Sequence, residues 1–487
     1  MNQLQQSLAE SLGAVLSASP FFIALMLGLA MPLFIIGLGL VTKKLQLSTR
    51  LALILCAMVV GSTLNIALSG RVLHTELEFA LNPWLQYQDA PKIWGSLASQ
   101  VCTAFVLALA GAEIFRWATG QVRMQGRVQM VWLAAMSYFF FSIVVSGVFG
   151  TFRNPRLNDL YGPVLITALA LLAPGCDRRA WRWLRNALVL PSVGSLVAMV
   201  VFPKLALLPD YASIIPGISQ RLYGLTDHAN SLGIVAAAAL IIELSPMVRA
   251  RPSVIIAACH LAALILAQSK TAWIAALICI LFVRWSWIKS RIFDGDGWRA
   301  TIGVGITLCF FLALGIIVIG FGISFEKLMQ SLNDSGISTF TGRTEIWRVT
   351  LEEFFKSPVY GYGPSLWDMQ FRIERGMLGA GQAHNQFIQA LGQSGGIGAL
   401  SMLAYIGVLL YVVCKAWEAS QGLAFVLLVL MLVRCFSESP LRMGSAMGWD
   451  NWLHYTLFVA AAASAATLKI EGRRLRSNSR VVTPSVL

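Results

Sequence analysis

The sequence predicts an all-α, polytopic membrane protein with about 12–14 transmembrane helices. Of its 487 residues, 57% are hydrophobic and only 12% are charged, and the mean hydropathy is +0.70. A soluble globular chain has roughly a quarter of its residues charged. So small a polar share cannot cover a water-facing shape of this length, which excludes a soluble fold.

About thirteen apolar runs are candidate transmembrane helices, because a helix needs about 20 mostly apolar residues to cross a bilayer. The runs are continuous rather than alternating, and an open sheet edge cannot face lipid, so spanning strands are not expected. The runs are Phe21–Val41, Leu51–Ser69, Ile93–Phe115, Val128–Val148, Gly162–Gly175, Ala187–Phe202, Ser231–Leu244, Ser253–Ala267, Thr271–Val283, Thr301–Ile323, Gly396–Cys414, Leu423–Cys435 and Trp452–Leu468.

Basic residues alternate from loop to loop, as the positive-inside rule requires of a correctly counted bundle. The net charge is +14, from 37 Lys+Arg against 23 Asp+Glu, and most of the basic residues fall in one set of loops. This bias predicts a cytoplasmic C-terminus, an outer N-terminus and a long outer loop. The predicted segments are 1–323 (first helices), 324–395 (long outer loop), 396–468 (last helices) and 469–487 (basic cytoplasmic tail).

Few ionisable side chains fall inside the predicted spans. Among them are Glu113, Glu243, His260 and Arg434. An ion-coupled carrier would place more carboxylates in mid-membrane, so this scarcity disfavours a transporter. The eight cysteines show no CxxC spacing, and the outer loops hold no carboxylate pair suited to Mg²⁺. We therefore expect no metal site and no cofactor.

Polar residues gather instead in three outer segments: residues 217–231, residues 268–271 and the long loop. At about sixty residues, that loop exceeds a plain connector. Trp347, Leu351, Phe354 and Phe355 recur in it at helical spacing, which predicts an amphipathic helix at the outer interface. A second predicted helix has His384 at its top and is broken by Gly395-Gly396.

Three cations and one histidine in these segments favour a phosphorylated substrate. Arginine binds phosphate through two parallel hydrogen bonds and lysine binds it as a point charge, which suits Arg221, Arg343 and Lys270. Such cations can neutralise a pyrophosphate leaving group without a metal. Histidine is the side chain that most often acts as a general base, so His384 could take a proton from an acceptor hydroxyl.

Each of these residues also has a structural interpretation. An outer-loop cation can anchor at lipid headgroups, and His384 can be a hydrogen-bonded packing residue. His228 and Asn230 can form a helix N-cap cluster. The glycines of Gly361–Pro364 suit a turn. The residues alone predict a membrane protein with a basic outer-face site.

Taken in order, the three segments resemble the O-antigen ligase and O-antigen polymerase superfamily of bacterial membrane enzymes. The resemblance covers residues from about Arg221 to Tyr411. Two positions depart from the common pattern: Lys270 stands where the family often has arginine, and Ala229 stands where many members have proline. At this second position the sequence resembles the exopolysaccharide polymerases more than the ligases. The motifs are Arg221-Leu222-Tyr223-Gly224, His228-Ala229-Asn230, Ser269-Lys270-Thr271-Ala272-Trp273, Gly342-Arg343-Thr344-Glu345-Ile346-Trp347, Gly361-Tyr362-Gly363, and His384-Asn385 with Gly392 and Gly395-Gly396.

The resemblance implies a fold similar to GT-C glycosyltransferases and an inverting, metal-independent glycosyl transfer. Arg221 and Arg343 would bind the pyrophosphate of a polyprenyl-linked sugar donor, and His384 would activate the acceptor. The further substrate-binding candidates are Lys270, His228, Asn230, Asn385, Glu345 and Tyr362. The implied place is the inner membrane of a Gram-negative bacterium, with the active site on the periplasmic face.

The predicted activity is polymerisation of undecaprenyl-pyrophosphate-linked repeat units into O-antigen or exopolysaccharide. The alternatives within the family are a ligase that attaches the glycan to lipid A-core and a protein O-oligosaccharyltransferase. A transporter of the lipid-linked glycan is the alternative from another class. The expected partners are the lipid-linked donor, a glycan or lipid acceptor and membrane lipids, with a chain-length regulator protein as a further candidate and no nucleic acid.

Overall fold

The structure of the chain is a computed structural model that describes residues 37–74, 78, 93–153, 157–211, 213, 215, 218–248, 251–283, 341–443 and 445–478. Of the predicted spans, Thr301–Ile323 lies outside the described residues, as does Phe21–Val41 except for its last five residues. Residues 37–42 are helical.

A helix stands at each of the other eleven predicted spans, and three further helices lie between them. In chain order the helices are α1 Leu47–Ala67, α2 Ile93–Ala118, α3 Gly126–Phe149, α4 Tyr161–Leu172, α5 Arg178–Val201, α6 Pro203–Ala206, α7 Ala229–Leu244, α8 Val254–Leu266, α9 Lys270–Val283, α10 Thr341–Lys356, α11 Met369–Glu374, α12 Gln386–Lys415, α13 Leu423–Ser437 and α14 Trp449–Asn478.

Within the described part of the chain, five helices are long and apolar enough to cross a membrane: α1, α2, α3, α5 and α12. Four shorter apolar helices, α7, α8, α9 and α13, pack among them. Large apolar side chains stand exposed on the outside, for example Val254 at 80% and Leu400 at 68%. Apolar side chains on the outer surface of a helical bundle suit contact with lipid. The predicted polytopic, helical membrane fold is confirmed.

Helix α7 is the centre of the bundle. All its residues except Asn230 and Leu244 are buried, because it is apolar on every face and packs against α5, α8, α9, α13 and α14. This packing therefore fixes the position of the N-terminus of α7 at one end of the molecule.

Helix α12 is kinked at Gly395, whose φ of 63° and ψ of −165° are not helical. Most residues are strained at such a φ, which glycine tolerates because it has no Cβ. The turn at residues 358–363 uses the backbone groups that the kink leaves unpaired. Gly396 N donates to Pro358 O at 2.7 Å, and Tyr362 N donates to Gly392 O at 2.8 Å. The predicted break at Gly395-Gly396 is thus the place where the turn of the long loop is hydrogen-bonded to α12.

The long loop contains the predicted helix as α10, but its buried face differs from the predicted one. Ile346, Val349, Thr350 and Glu353 are buried, whereas Phe355 is 73% exposed. The reason is that α10 packs on α12 and on a small core around Trp367 and Phe371, so protein contacts choose the buried face.

Two short strands interrupt the helical architecture. Strand β1, Leu207–Leu208, pairs antiparallel with β2, Arg221–Leu222, and Leu208 stands opposite Arg221. Spanning strands were not expected, and these two-residue strands lie in a connection between helices. They fix the position of Arg221 at the start of the polar segment before α7.

The two ends of the bundle differ in character. The basic end comprises residues 42–50, 113–123, 176–185, 243–248 and 251–253, and it contains two ion pairs between separate segments. Arg50 holds Glu113 through both carboxylate oxygens at 2.7 and 2.8 Å, and Arg185 pairs with Glu243. The opposite end, the cavity end, comprises residues 69–74, 202–211, 213, 215, 218–228, 267–270, 357–393, 434–443 and 445–450. The described parts of all three polar segments singled out in the sequence reach this end.

Candidate functional site

His384 lies in the loop just before α12, at the cavity end. Its φ is +50°, a strained value for a residue with a side chain. The loop is held on both sides: Trp347 Nε1 of α10 donates to Ala383 O at 2.8 Å, and Ala383 N donates to Gln389 Oε1 at 2.8 Å. His384 is therefore two residues before the helix that was predicted to carry it, and its backbone is fixed by neighbouring side chains.

Glu438 is the partner of His384. It follows the last residue of α13, and its side chain is 3% exposed. Its Oε2 lies 2.7 Å from His384 Nδ1 and accepts a hydrogen bond from Gln382 Nε2 at 2.6 Å. Its Oε1 accepts one from Asn230 Nδ2 at 2.9 Å. A single buried carboxylate thus joins α7, α13 and the loop before α12.

Glu438 remains ionised because of its surroundings. Burial alone would raise its pKa, but Arg434, His384 and His228 more than offset that effect and hold the pKa of the carboxyl well below its usual range. Arg434 lies one helical turn earlier, 3.8 Å from Glu438 Oε1, and its Nε donates to Asp450 Oδ1 at 3.0 Å. The intramembrane arginine noted in the sequence thus supports a carboxylate of the site.

Arg221 belongs to the same network. Its Nε donates to Ala267 O at 2.9 Å and its Nη2 donates to Asn230 Oδ1 at 2.7 Å. The guanidinium also lies over the ring of Tyr211, 4.9 Å from its centroid. Arg221 is only 9% exposed, so its hydrogen bond to Asn230 lies in the protein interior.

His228 and Asn230 both stand at the N-terminus of α7. His228 Nδ1 accepts a hydrogen bond from Asn230 N at 3.0 Å and so caps the helix. The cap cluster allowed by the sequence exists, with His228 rather than Asn230 as the cap. The Asn230 side chain is used differently, because it links Arg221 to Glu438.

Lys270 and Arg343 lie outside this network. Lys270 is exposed at the first position of α9, three residues after the carbonyl that Arg221 binds. Arg343 is half-buried in the first turn of α10, on the same helix face as Trp347. Neither side chain has a hydrogen bond or ion pair to another residue that the structure describes.

The three other predicted binding residues have structural contacts. Asn385 caps α12, where its Oδ1 accepts from Phe387 N and Ile388 N at 3.0 and 3.2 Å. Glu345 is exposed and pairs with Arg348 on its own helix. The ring of Tyr362 stacks on Phe152 with centroids 5.6 Å apart, and burial raises the pKa of its hydroxyl. The structure does not bring these three side chains into the network around Glu438.

A cavity of about 510 Å³ opens beside His384. Ligand pockets typically occupy about 300–1,000 Å³. Among its lining residues are Asp159 before α4, Asp227 before α7, Asp368 before α11 and Asp450 in α14. Four separate parts of the chain therefore meet around one histidine.

Sequence reasoning missed Glu438 and Gln382. Glu438 stands 54 positions from His384, and no local motif relates the two. One signal was present: Arg434 in an apolar run needs a carboxylate, and Glu438 is four residues later, one turn along a helix. Gln382 carried no signal of its own.

The arrangement can perform general base catalysis. A histidine whose Nδ1–H donates to a carboxylate has its Nε2 unprotonated and able to accept a proton. The carboxylate also stabilises the imidazolium that forms. Within the described residues, no cluster of three or more histidine, cysteine, aspartate or glutamate side chains could hold a metal ion.

Comparison with known proteins agrees with the resemblance drawn from the motifs. Residues 255–403 match the family model described as O-antigen ligase. The match covers less than half of the chain and includes α8, α9, α10, α11 and the first part of α12, and with them Lys270, Arg343 and His384. No curated protein matches the chain at a significant level.

Proposed function

We propose that this chain, a member of the O-antigen ligase and O-antigen polymerase superfamily, polymerises glycan repeat units carried on a polyprenyl pyrophosphate. The reaction takes place at the periplasmic face of a bacterial inner membrane. The observation that carries the proposal is the hydrogen bond between His384 and the buried Glu438 at the wall of a cavity. It supplies the base that glycan transfer to a hydroxyl requires.

His384 takes the proton of the acceptor hydroxyl at Nε2. The acceptor oxygen forms its bond to the anomeric carbon of the donor as the bond from that carbon to the pyrophosphate oxygen breaks. The displacement is direct, so the anomeric configuration inverts. Glu438 keeps the Nδ1 proton in place and offsets the positive charge that His384 gains.

The polyprenyl pyrophosphate leaves with the electron pair of the broken bond, and cations stabilise it. Arg343 is placed for this role one turn before Trp347, whose indole holds the carbonyl next to His384. Lys270 adds a charge from the start of α9. Arg221 stabilises the site through its hydrogen bond to Asn230. The family resemblance also implies a contact between Arg221 and the phosphate.

The test is glycan transfer by the purified full-length protein in lipid nanodiscs, supplied with lipid-linked repeat units from the producing cell. We expect longer lipid-linked chains to form, and EDTA to leave the rate unchanged because cations of the protein neutralise the leaving group. Absence of any transfer would contradict the proposed function. Inhibition by EDTA that Mg²⁺ reverses would contradict the metal-independent step.

A ligase is the second candidate, because the matching family model is described as O-antigen ligase. The two activities share the donor chemistry and differ in the acceptor. A deletion strain separates them: loss of long chains with single repeats retained indicates a polymerase. Long lipid-linked chains left unattached indicate a ligase. Turnover by protein in nanodiscs, which have no second compartment, would exclude pure transport.

A further inference from the structure

Arg71 lies in the loop after α1, outside the motifs that marked the site in the sequence. Its Nε and Nη2 donate to Leu205 O at 3.3 and 2.8 Å, and Nη2 also donates to Gly224 O at 2.9 Å. Its Nη1 donates to Thr226 O at 2.7 Å and to Asp227 O at 3.3 Å. These bonds use all the N–H groups of the guanidinium. Arg71 therefore holds the backbone of residues 224–227 and has no donor left for a substrate.

Residues 224–227 form the connection between two groups of the site. They join β2, which contains Arg221, to α7, whose second residue is Asn230. The bond between Arg221 Nη2 and Asn230 Oδ1 spans this connection, and Asn230 Nδ2 donates in turn to Glu438. A shift of the connection would move the start of α7, and with it the amide that contacts Glu438.

The contacts of Arg71 require an arginine. Its bonds to the carbonyls are charge-assisted, so they are stronger than bonds between neutral groups. Lysine has three donors on a single nitrogen, and it cannot reach carbonyls around a planar fork at the same time. The N–H groups of the connection are bonded elsewhere: Gly224 N donates to Ala206 O at 3.0 Å, and Leu225 N donates to Ser195 Oγ at 2.8 Å. Arg71 thus serves the carbonyls of the connection.

We propose that Arg71 is a positioning residue of the transfer reaction. By holding residues 224–227 it places the Asn230 amide against Glu438, and Glu438 in turn orients His384. This inference rests on the proposed function, because the histidine that Arg71 serves is the base of that reaction. Arg71 is not among the described residues that line the cavity, so its effect on His384 passes through Asn230 and Glu438.

A double-mutant cycle tests the proposal. Arg71→Lys and Asn230→Ala, singly and together, are measured for kcat with lipid-linked repeat units, using the purified full-length protein in nanodiscs. We expect each single substitution to lower kcat at least about fivefold, because a misplaced supporting group misaligns the base. We expect the double variant to lie within about twofold of Asn230→Ala, because both changes break the same route to Glu438.

A purely structural role predicts a different result. Arg71→Lys would then lower kcat by the same factor with or without Asn230, and such multiplied effects would overturn the proposal. A wild-type kcat for either single variant would also overturn it. Arg178→Lys is the matched control, because Arg178 Nε donates to a carbonyl of another segment, Met247 O at 3.2 Å, at the basic end. Its kcat should stay within about twofold of the wild type, as for most surface substitutions.

The unfolding temperature of each variant shows whether the comparison is valid. If Arg71→Lys does not fold, Arg71→Gln, which keeps two donors, takes its place in the cycle. If neither folds while Asn230→Ala does, Arg71 is required for the fold and the proposal is wrong.

The outcomes also separate this inference from the proposed function. If the wild type gives no transfer from lipid-linked repeat units, the proposed function fails, and the role of Arg71 fails with it. If the wild type is active but the two substitutions act independently, the proposed function stands and the positioning role is wrong.

Discussion

Glu438 has three hydrogen-bonding partners: Asn230 in the first turn of α7, and Gln382 and His384 in the loop before α12. A carboxylate so placed does two things. It orients the imidazole ring, and it stays charged because Arg434 is close to it. Both effects are properties of this one side chain and can be removed by one substitution.

Glu438→Gln should lower the rate of glycan transfer by about 10²-fold, because the amide cannot stabilise the imidazolium. The protein should remain folded, since glutamine has nearly the same shape. Initial rates and the thermal unfolding temperature are the measurements. Glu352→Gln serves as the control for loss of one carboxylate, because Glu352 pairs with Arg348 at the surface of α10.

Arg343→Lys should be more harmful than a conservative change, because lysine cannot form two parallel hydrogen bonds with a phosphate. We expect kcat/KM for the lipid-linked donor to fall at least about tenfold. Arg348→Lys on the same helix is the control, because Arg348 pairs with Glu345 and Glu352 at the surface. Equal activity of the two variants would count against a phosphate contact by Arg343.

The sequence predicted part of the site at this scale. Arg221 and His384 were indicated because cations and one histidine gather in the outer segments and match motifs of the family, and both join one network. Glu438 and the cavity acids were not indicated. A carboxylate at the end of an apolar helix is an ordinary interface residue until the fold shows what lies opposite it.

The kink in α12 is the element that sets the geometry of the loop. Gly395 gives the chain a conformation that leaves backbone groups of residues 392–397 free, and the turn at 358–363 binds them. The first half of α12 links this kink to the loop that contains His384.

Gly395→Ala should therefore destabilise the protein and impair transfer. The positive φ costs about 1–3 kcal/mol for a residue with a Cβ, and that Cβ would also overlap the carbonyl of Val359. Gly407→Ala in the second half of the same helix is the matched control, because its Cβ would meet no atom within 4 Å. A thermal unfolding temperature that falls equally in both variants would contradict the special role of Gly395.

The helices were the part of the structure that the sequence predicted best. Long continuous apolar runs require helices in lipid, and each run within the described residues is a helix. The buried face of α10 was not predictable in the same way. Four apolar side chains at helical spacing marked one face, but packing on α12 buried another that includes Glu353, which pairs with Lys356 and Arg375.

At the scale of the whole molecule, the two ends of the bundle differ in the surroundings of their charged side chains. At the basic end Glu113 and Glu243 are paired with arginines, whereas at the cavity end four aspartates line one cavity. The positive-inside rule predicts that the basic end faces the cytoplasm. The excess of positive charge in the sequence is consistent with this orientation and leaves a minority of cations for the site.

Orientation can be measured with cysteine variants in a background without native cysteines. Lys204→Cys lies on the exposed surface of the cavity end, and Arg182→Cys lies on that of the basic end. A membrane-impermeant maleimide added to intact cells should label the first and not the second. The reverse pattern would place the site in the cytoplasm and contradict the proposed periplasmic reaction.

The central claim is that His384 is the base of glycan transfer, and one substitution tests it most directly. Purified His384→Ala and His74→Ala, each in nanodiscs with lipid-linked repeat units, are compared with the wild type for initial rate and for unfolding temperature. His74 is the control because it is another histidine at the cavity end and contacts Glu78. We predict a loss of at least about 10²-fold for His384→Ala alone, with the unfolding temperature unchanged. Wild-type transfer by the folded His384→Ala protein would contradict the account.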